Sequence, residues 1–169
     1  MNISKQECFL SLKRVMLSYS YISEQSFSRL FDLCHIKHFE KGQTLLHFGD
    51  ISKELYFICK GILRTYIIDE DANIYNKNIF LENNFSGSKV SLILEKPSDF
   101  CIEALEDTTL ISIPYAKYRQ LIDDIDDLKN FYIAYLENKW VIEKENHEVS
   151  LVLDDATRTH LKNSWYGYC

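Results

Sequence analysis

The feature that most constrains this chain is a change of hydrophobic period. Between residues 36 and 113 the apolar residues leave helical spacing and fall into short runs that alternate with polar ones, separated by glycine, Asp-Asn or proline. The runs are Ile36 to Phe39, Thr44 to His47, Leu55 to Cys59, Ile62 to Asp69, Tyr75 to Leu81, Cys101 to Leu105 and Thr109 to Ile113. Seven or eight short strands punctuated in this way predict a barrel or a sandwich. The DEDAN stretch after Ile68 reads as a hairpin loop, and Lys60-Gly61 as a tighter turn.

Helical patterns flank this β region on both sides. Ser4 followed by Glu7 is a capping box ahead of Phe9, Leu10, Leu12, Val15 and Met16, which predicts a helix over residues 4 to 18. A second helix follows Ser23, with Phe27, Leu30, Phe31 and Cys34 on one face. After Pro114 the helical period returns, and no proline or glycine interrupts residues 123 to 153. Leu121, Leu128, Tyr135, Ile142 and Val149 are each seven apart. That register points to a helix pairing with a copy of itself. The partner line is imperfect, since Asp124, Asn138 and Glu145 break it, so packing on the chain's own barrel stays open beside it. The seam expected for a homodimer is Leu128, Tyr135, Ile142 and Val149. The resulting organisation is residues 1–122 as N-terminal helices plus β-roll, 123–153 as the long helix, and 154–169 as a remnant or tail.

Composition narrows the partners. With 19 Lys plus Arg against 25 Asp plus Glu, the chain carries a net charge of -6 and a pI near 5.4, which suits no phosphate backbone. Five scattered cysteines without a C-x-x-C pair, no basic-then-apolar leader and no run of eighteen apolar residues fit a reducing, cytoplasmic setting without a membrane span.

The segments KGQTLLHFGD (41 to 50), LYFICKGILRTY (55 to 66) and FSGSKVSLILEKPSDFCIEALEDTTLISI (85 to 113) resemble the Crp/Fnr family of bacterial transcription regulators. The resemblance covers roughly residues 10 to 160. It implies a mainly β fold with flanking helices: a cyclic-nucleotide-binding jelly roll, two N-terminal helices and a long C-terminal dimerisation helix. It also makes FSGSK the phosphate-binding cassette, in which Gly87 opens a short helix whose amides face a cyclic phosphate. Members that bind cyclic AMP follow that glycine with a glutamate for the ribose, and place an Arg-Ser pair eleven and twelve residues after it. Here those positions hold Ser88 and Ser98-Asp99. A lost charge-assisted contact costs about 1.5 to 3 kcal/mol, so the resemblance implies a degenerate pocket in which cyclic AMP is disfavoured as a ligand. Lys89 and Arg64, the latter expected to face the roll's interior, are the cations that could compensate. The bland alternative is that Ser86 or Ser88 caps a short helix and Gly87 makes the bend.

Other constellations carry less. His35 and His38 are three apart and leave a strand on opposite faces, unlike the pair two apart that a cupin-type metal site uses, and no metal is expected. No G-x-S-x-G elbow is present, and Cys101 sits in an apolar strand, so no catalytic residue and no enzyme is expected. The acidic run IDDIDDL (122 to 128) reads as the junction of two helices, with Asp123 or Asp126 capping the second. The function expected is the sensory and dimerisation half of a Crp/Fnr-type regulator, binding DNA only if a helix-turn-helix is supplied beyond this chain. The alternative is a stand-alone small-molecule or cyclic-nucleotide-binding domain that acts through its long helix.

Overall fold

In chain order the elements are α1 (Lys5–Leu17), α2 (Glu24–Phe31), β1 (His35–Phe39), β2 (Thr44–Leu46), β3 (Glu54–Lys60), β4 (Leu63–Ile68) and β5 (Ile74–Phe80). There follow β6 (Phe85–Ser86), α3 (Lys89–Leu94), β7 (Cys101–Ala104), β8 (Thr108–Pro114), α4 (Tyr115–Asp124) and α5 (Asp126–Leu153). These come from a computed structural model that describes the backbone of residues 3–69 and 71–153, and side chains through residue 142. The predicted strands are all present. The addition is β6, two residues long and too short for any periodicity to mark.

The strands form two antiparallel four-stranded sheets, ordered β1-β8-β3-β6 and β2-β7-β4-β5. Leu46, Tyr56, Ile58, Leu63, Ile102, Ala104 and Leu110 pack together between them as a buried core. Side chains alternate across a strand, so Phe57 and Cys59 leave β3 on the side away from this core. Yet they too are buried, because the first sheet is covered on both faces. Phe57 meets Phe85 edge-on at 5.1 Å, Phe85 lies 6.4 Å from Phe131, and Phe131 meets Tyr19 at 6.0 Å. In the second sheet every residue of the edge strand β5 from Ile74 to Ile79 is exposed.

The capping box at Ser4 forms as predicted, with the Ser4 hydroxyl accepting from the Glu7 amide and the Glu7 carboxylate accepting from the Ser4 amide. The Lys60-Gly61 turn needs its glycine: φ there is +102°, and a Cβ would stand 2.8 Å from the Thr108 Cα. The IDDIDDL run is indeed a helix junction. Helix α4 ends at Asp124, Ile125 turns to extended backbone, and α5 starts at Asp126.

Asp127, in the first turn of α5, accepts from the Ser23 amide at 2.9 Å and from the Ser26 hydroxyl at 2.8 Å, at the start of α2. Desolvation alone would raise its pKa, but these hydrogen bonds outweigh that and hold the carboxyl below its ordinary value. A carboxylate lowered in the folded state adds stability above its unfolded pKa and loses it as pH falls through the folded one. Asp127→Ala is therefore expected to lower the melting temperature at neutral pH, with the gap to wild type closing below about pH 4. Thermal scans across that range check this.

The chain divides into two compact units, a first from Met1 to Phe131 and a second from Tyr132 to Cys169. This bears on the expected dimer seam. Leu128 and Phe131 are fully buried within the first unit, so Leu128 packs on its own domain and offers nothing to a second copy. Tyr135 is also buried, with the Lys139 ammonium 5.6 Å from its ring centre, whereas Ile142 is exposed. Val149 lies outside the residues whose side chains are described. In the second unit the exposed apolar residues include Ile133, Leu136 and Trp140, at i, i+3 and i+7.

Candidate functional site

The site expected from the sequence begins where β6 hands over to α3. Phe85 turns toward Phe57 and the helices, so Ser86 points to the opposite face, between the sheets. Gly87 follows with φ +154°, a conformation that L side chains rarely adopt, and a Cβ there would stand 3.3 Å from Leu92 Cδ1 and 3.6 Å from the Glu54 carbonyl. The glycine thus makes the bend. Ser88 occupies the N-cap position of α3, but its side chain makes no capping bond. The reading in which a serine hydroxyl caps this helix is corrected here: the Ser86 hydroxyl is buried without a partner and the Ser88 hydroxyl turns elsewhere.

It turns to Ser98. The two hydroxyls are hydrogen-bonded, 3.1 Å apart, and that of Ser98 also reaches the Phe100 carbonyl at 2.9 Å. A hydroxyl carries one proton but two lone pairs, so Ser98 can hold both contacts with Ser88 as donor. Backbone bonds fix Ser98 from the other side: its amide donates to the Asp50 carbonyl and its carbonyl accepts from the Gly49 amide, both at 2.8 Å. The Ser52 amide donates to the Ser91 hydroxyl at 2.8 Å. Sequence reasoning missed Ser52 and Ser91. The signal available was the i, i+3 spacing of Ser88 and Ser91, which places both on one side of so short a helix.

Asp99 departs from its neighbour. Three quarters of its side chain is exposed, and its carboxylate lies 3.7 Å from the Lys77 ammonium, which in turn sits 4.8 Å from the Phe100 ring centre. Asp99 and Lys77 form one end of an open concavity of about 460 Å³ whose other walls include Phe48, Ile67 and Tyr75. Lys89 is exposed at the start of α3.

Arg64 requires a correction. It was expected to face the roll's interior, but Leu63 and Thr65 on either side of it are the buried ones, and alternation sends Arg64 to the outer face of the second sheet. There its guanidinium pairs with Glu103 at 3.1 Å, donates to Asn76 Oδ1 at 3.2 Å and stacks 4.6 Å from the Tyr66 ring centre. Of the six expected site residues, the structure joins Ser88 and Ser98 beside Gly87, has Asp99 and Lys89 exposed and puts Arg64 on another surface. Among the described residues every buried polar side chain is a serine or threonine, and none is charged. Nor does any group of three His, Cys, Asp or Glu side chains among them stand where it could hold a metal ion.

The model of the cyclic nucleotide-binding domain family matches residues 36–124, more than half of the chain. The chain belongs to that family. This cyclic nucleotide-binding domain is 26% identical over 106 residues to the cAMP-activated global transcriptional regulator CRP of Pasteurella multocida, covering 63% of this chain and 51% of the relative. It is 27% identical over 95 residues to the CRP of Salmonella typhimurium, covering 56% of this chain and 45% of the relative. The chain thus spans about half the length of the curated relatives it matches. Among solved structures, a cyclic nucleotide-binding domain from Methylobacillus flagellatus superposes with a TM-score of 0.71 at 14% identity, over 85% of this chain and 82% of that one. The sensor domain of the transcriptional regulator DNR from Pseudomonas aeruginosa superposes with a TM-score of 0.65 at 13% identity, over 83% and 91%. These likenesses bear out the jelly-roll fold and the Crp/Fnr resemblance. The cassette lies inside the matched residues.

Proposed function

We propose that the chain is the sensory and dimerisation module of a Crp/Fnr-type transcription regulator whose pocket does not respond to cyclic AMP. The observation that carries this is the uncharged pair buried in the cassette: Ser88 and Ser98 stand at the glutamate and arginine positions and bond to each other. A cyclic phosphate placed there meets no buried cation among the described residues. The carboxylate next to Ser98 in sequence, Asp99, opposes it weakly, being exposed and paired with Lys77. Any small-molecule ligand of this pocket is neutral or cationic, and no catalytic step is assigned to it.

The module works as a homodimer in the cytoplasm through α5, with Ile133, Leu136 and Trp140 as the seam. Their i, i+3, i+7 spacing is that of a coiled-coil face, and their exposure leaves them open to a second copy. Reading DNA needs a helix-turn-helix with a recognition helix, which the described residues do not contain. None of their helices is long and apolar enough to cross a membrane.

Titrating the wild-type protein with cyclic AMP by thermal shift and calorimetry tests the ligand reading. The expected result is no shift at millimolar nucleotide. A ligand at 100 times its dissociation constant stabilises by about 2.7 kcal/mol, which a melting curve resolves easily; a saturable shift of that order at micromolar nucleotide overturns the reading.

A further inference from the structure

The serines around α3 are connected to one another through a closed circuit. The Gly49 amide donates to the Ser98 carbonyl and the Ser98 amide to the Asp50 carbonyl. The Ser98 hydroxyl joins that of Ser88, and the Ser88 carbonyl accepts from the Leu92 amide at 2.8 Å inside α3. From α3 the Ser91 hydroxyl accepts from the Ser52 amide, which returns the circuit to the loop that began at Gly49. Ser88, Ser91 and Ser98 are each at most 3% exposed, so water does not compete for these bonds, and a hydrogen bond made in such surroundings is stronger than one at the surface.

A cassette that closes on a ligand uses the ligand's own atoms to join the helix to the residues facing it. Here the joining atoms belong to the chain. Helix α3 is only six residues long, too short to be stable by itself in water, and Val90, Ile93 and Leu94 leave much of its surface exposed. Its apolar anchor is Leu92, the one buried aliphatic side chain it carries. The serine circuit is therefore a substantial part of what holds it.

We infer that this circuit is a latch built into the fold, which keeps the cassette closed with no ligand present. A domain latched in this way is not switched by occupancy of the cassette, and a regulator built on it takes its input elsewhere. That regulatory consequence rests on the cyclic AMP-insensitive reading above; the latch itself does not.

Amide hydrogen exchange on the nucleotide-free protein tests it, comparing wild type with Ser98→Ala and Ser91→Ala. Both substitutions remove one hydroxyl and add no bulk. The expected result is that the Leu92 and Ser52 amides are protected in wild type and exchange about three- to tenfold faster in each variant, the range one net hydrogen bond produces. Amides of Ile58 in β3 and Leu110 in β8 keep their wild-type rates. The inference is overturned if the Leu92 amide of wild type already exchanges like an unstructured peptide, or if neither variant changes it. It is overturned equally if both variants accelerate Ile58 and Leu110 as much as Leu92, since the serines would then belong to the general core. Should one variant unfold, the other decides. Cyclic AMP binding to wild type would defeat the nucleotide-insensitive reading and leave these nucleotide-free rates unaffected, so the two failures are told apart.

Discussion

Replacing three residues at once, Ser88→Glu, Ser98→Arg and Asp99→Ser, is expected to raise affinity for cyclic AMP by about two to five orders of magnitude over wild type. The guanidinium adds a charge-assisted contact of about 1.5 to 3 kcal/mol, and a carboxylate for the ribose hydroxyl adds a similar amount. Removing Asp99 contributes least. That side chain is exposed and paired with Lys77, so its repulsion on a phosphate at about 4 Å is close to the water value of ~1 kcal/mol. At about 1.4 kcal/mol per factor of ten, Ser98→Arg alone should recover one to two orders, and Asp99→Ser alone less than one. The gain has a cost in the nucleotide-free protein. Ser88 and Ser98 are almost fully buried, so charges placed there lose their water before they find a phosphate, and the triple variant should melt earlier than wild type until nucleotide restores it. Calorimetric titration and melting curves with and without cyclic AMP read both effects. A triple variant that keeps its circular dichroism yet shows no binding at millimolar nucleotide would mean that the shape of the cassette, and not its charge, excludes the ligand.

The roll was legible because each strand carries its own evidence. The unbroken apolar run from Leu55 to Cys59 and the glycine after Lys60 mark β3 and its turn without reference to any other part of the chain, and the capping box at Ser4 is equally local. What was not legible depends on the partners of a side chain. Arg64 reads as interior or exterior only once its register is known, since a shift of one residue reverses the face, and Glu103, which holds it, lies 39 positions away. Ser98 shows the same limit. Its substitution for arginine was visible in the sequence, but its bond to Ser88 required β6, a two-residue strand, to turn Phe85 toward the helices and aim the next residues at the cassette. The seven-residue line of the long helix has two readings for a related reason. A helix whose first turns pack on its own domain repeats apolar residues on the domain side, as Leu128 does, and periodicity cannot say which body that face meets.

The dimer proposed through Ile133, Leu136 and Trp140 should dissociate when Leu136 is replaced by Asp. Fully burying a large apolar side chain is worth about 1.5 to 3 kcal/mol, and a symmetric seam loses Leu136 twice while gaining two carboxylates that must stay hydrated. The dissociation constant should therefore rise by at least two to four orders of magnitude, and light scattering at micromolar protein should report monomers. Two further substitutions decide between this face and the seven-residue line. At 100° per residue, Ile142 lies nine residues and 180° from Ile133, on the far side of the helix, so Ile142→Asp should leave the dimer intact. Leu128→Asp should do neither. Leu128 is completely buried in the first unit, and an unpaired carboxylate there belongs to the class of substitutions that cost more than about 4 kcal/mol, so the expected result is an unfolded first unit. If Ile142→Asp gives monomers while Leu136→Asp remains dimeric, the face is assigned to the wrong side of α5, and the seam runs along the line that the sequence periodicity first indicated.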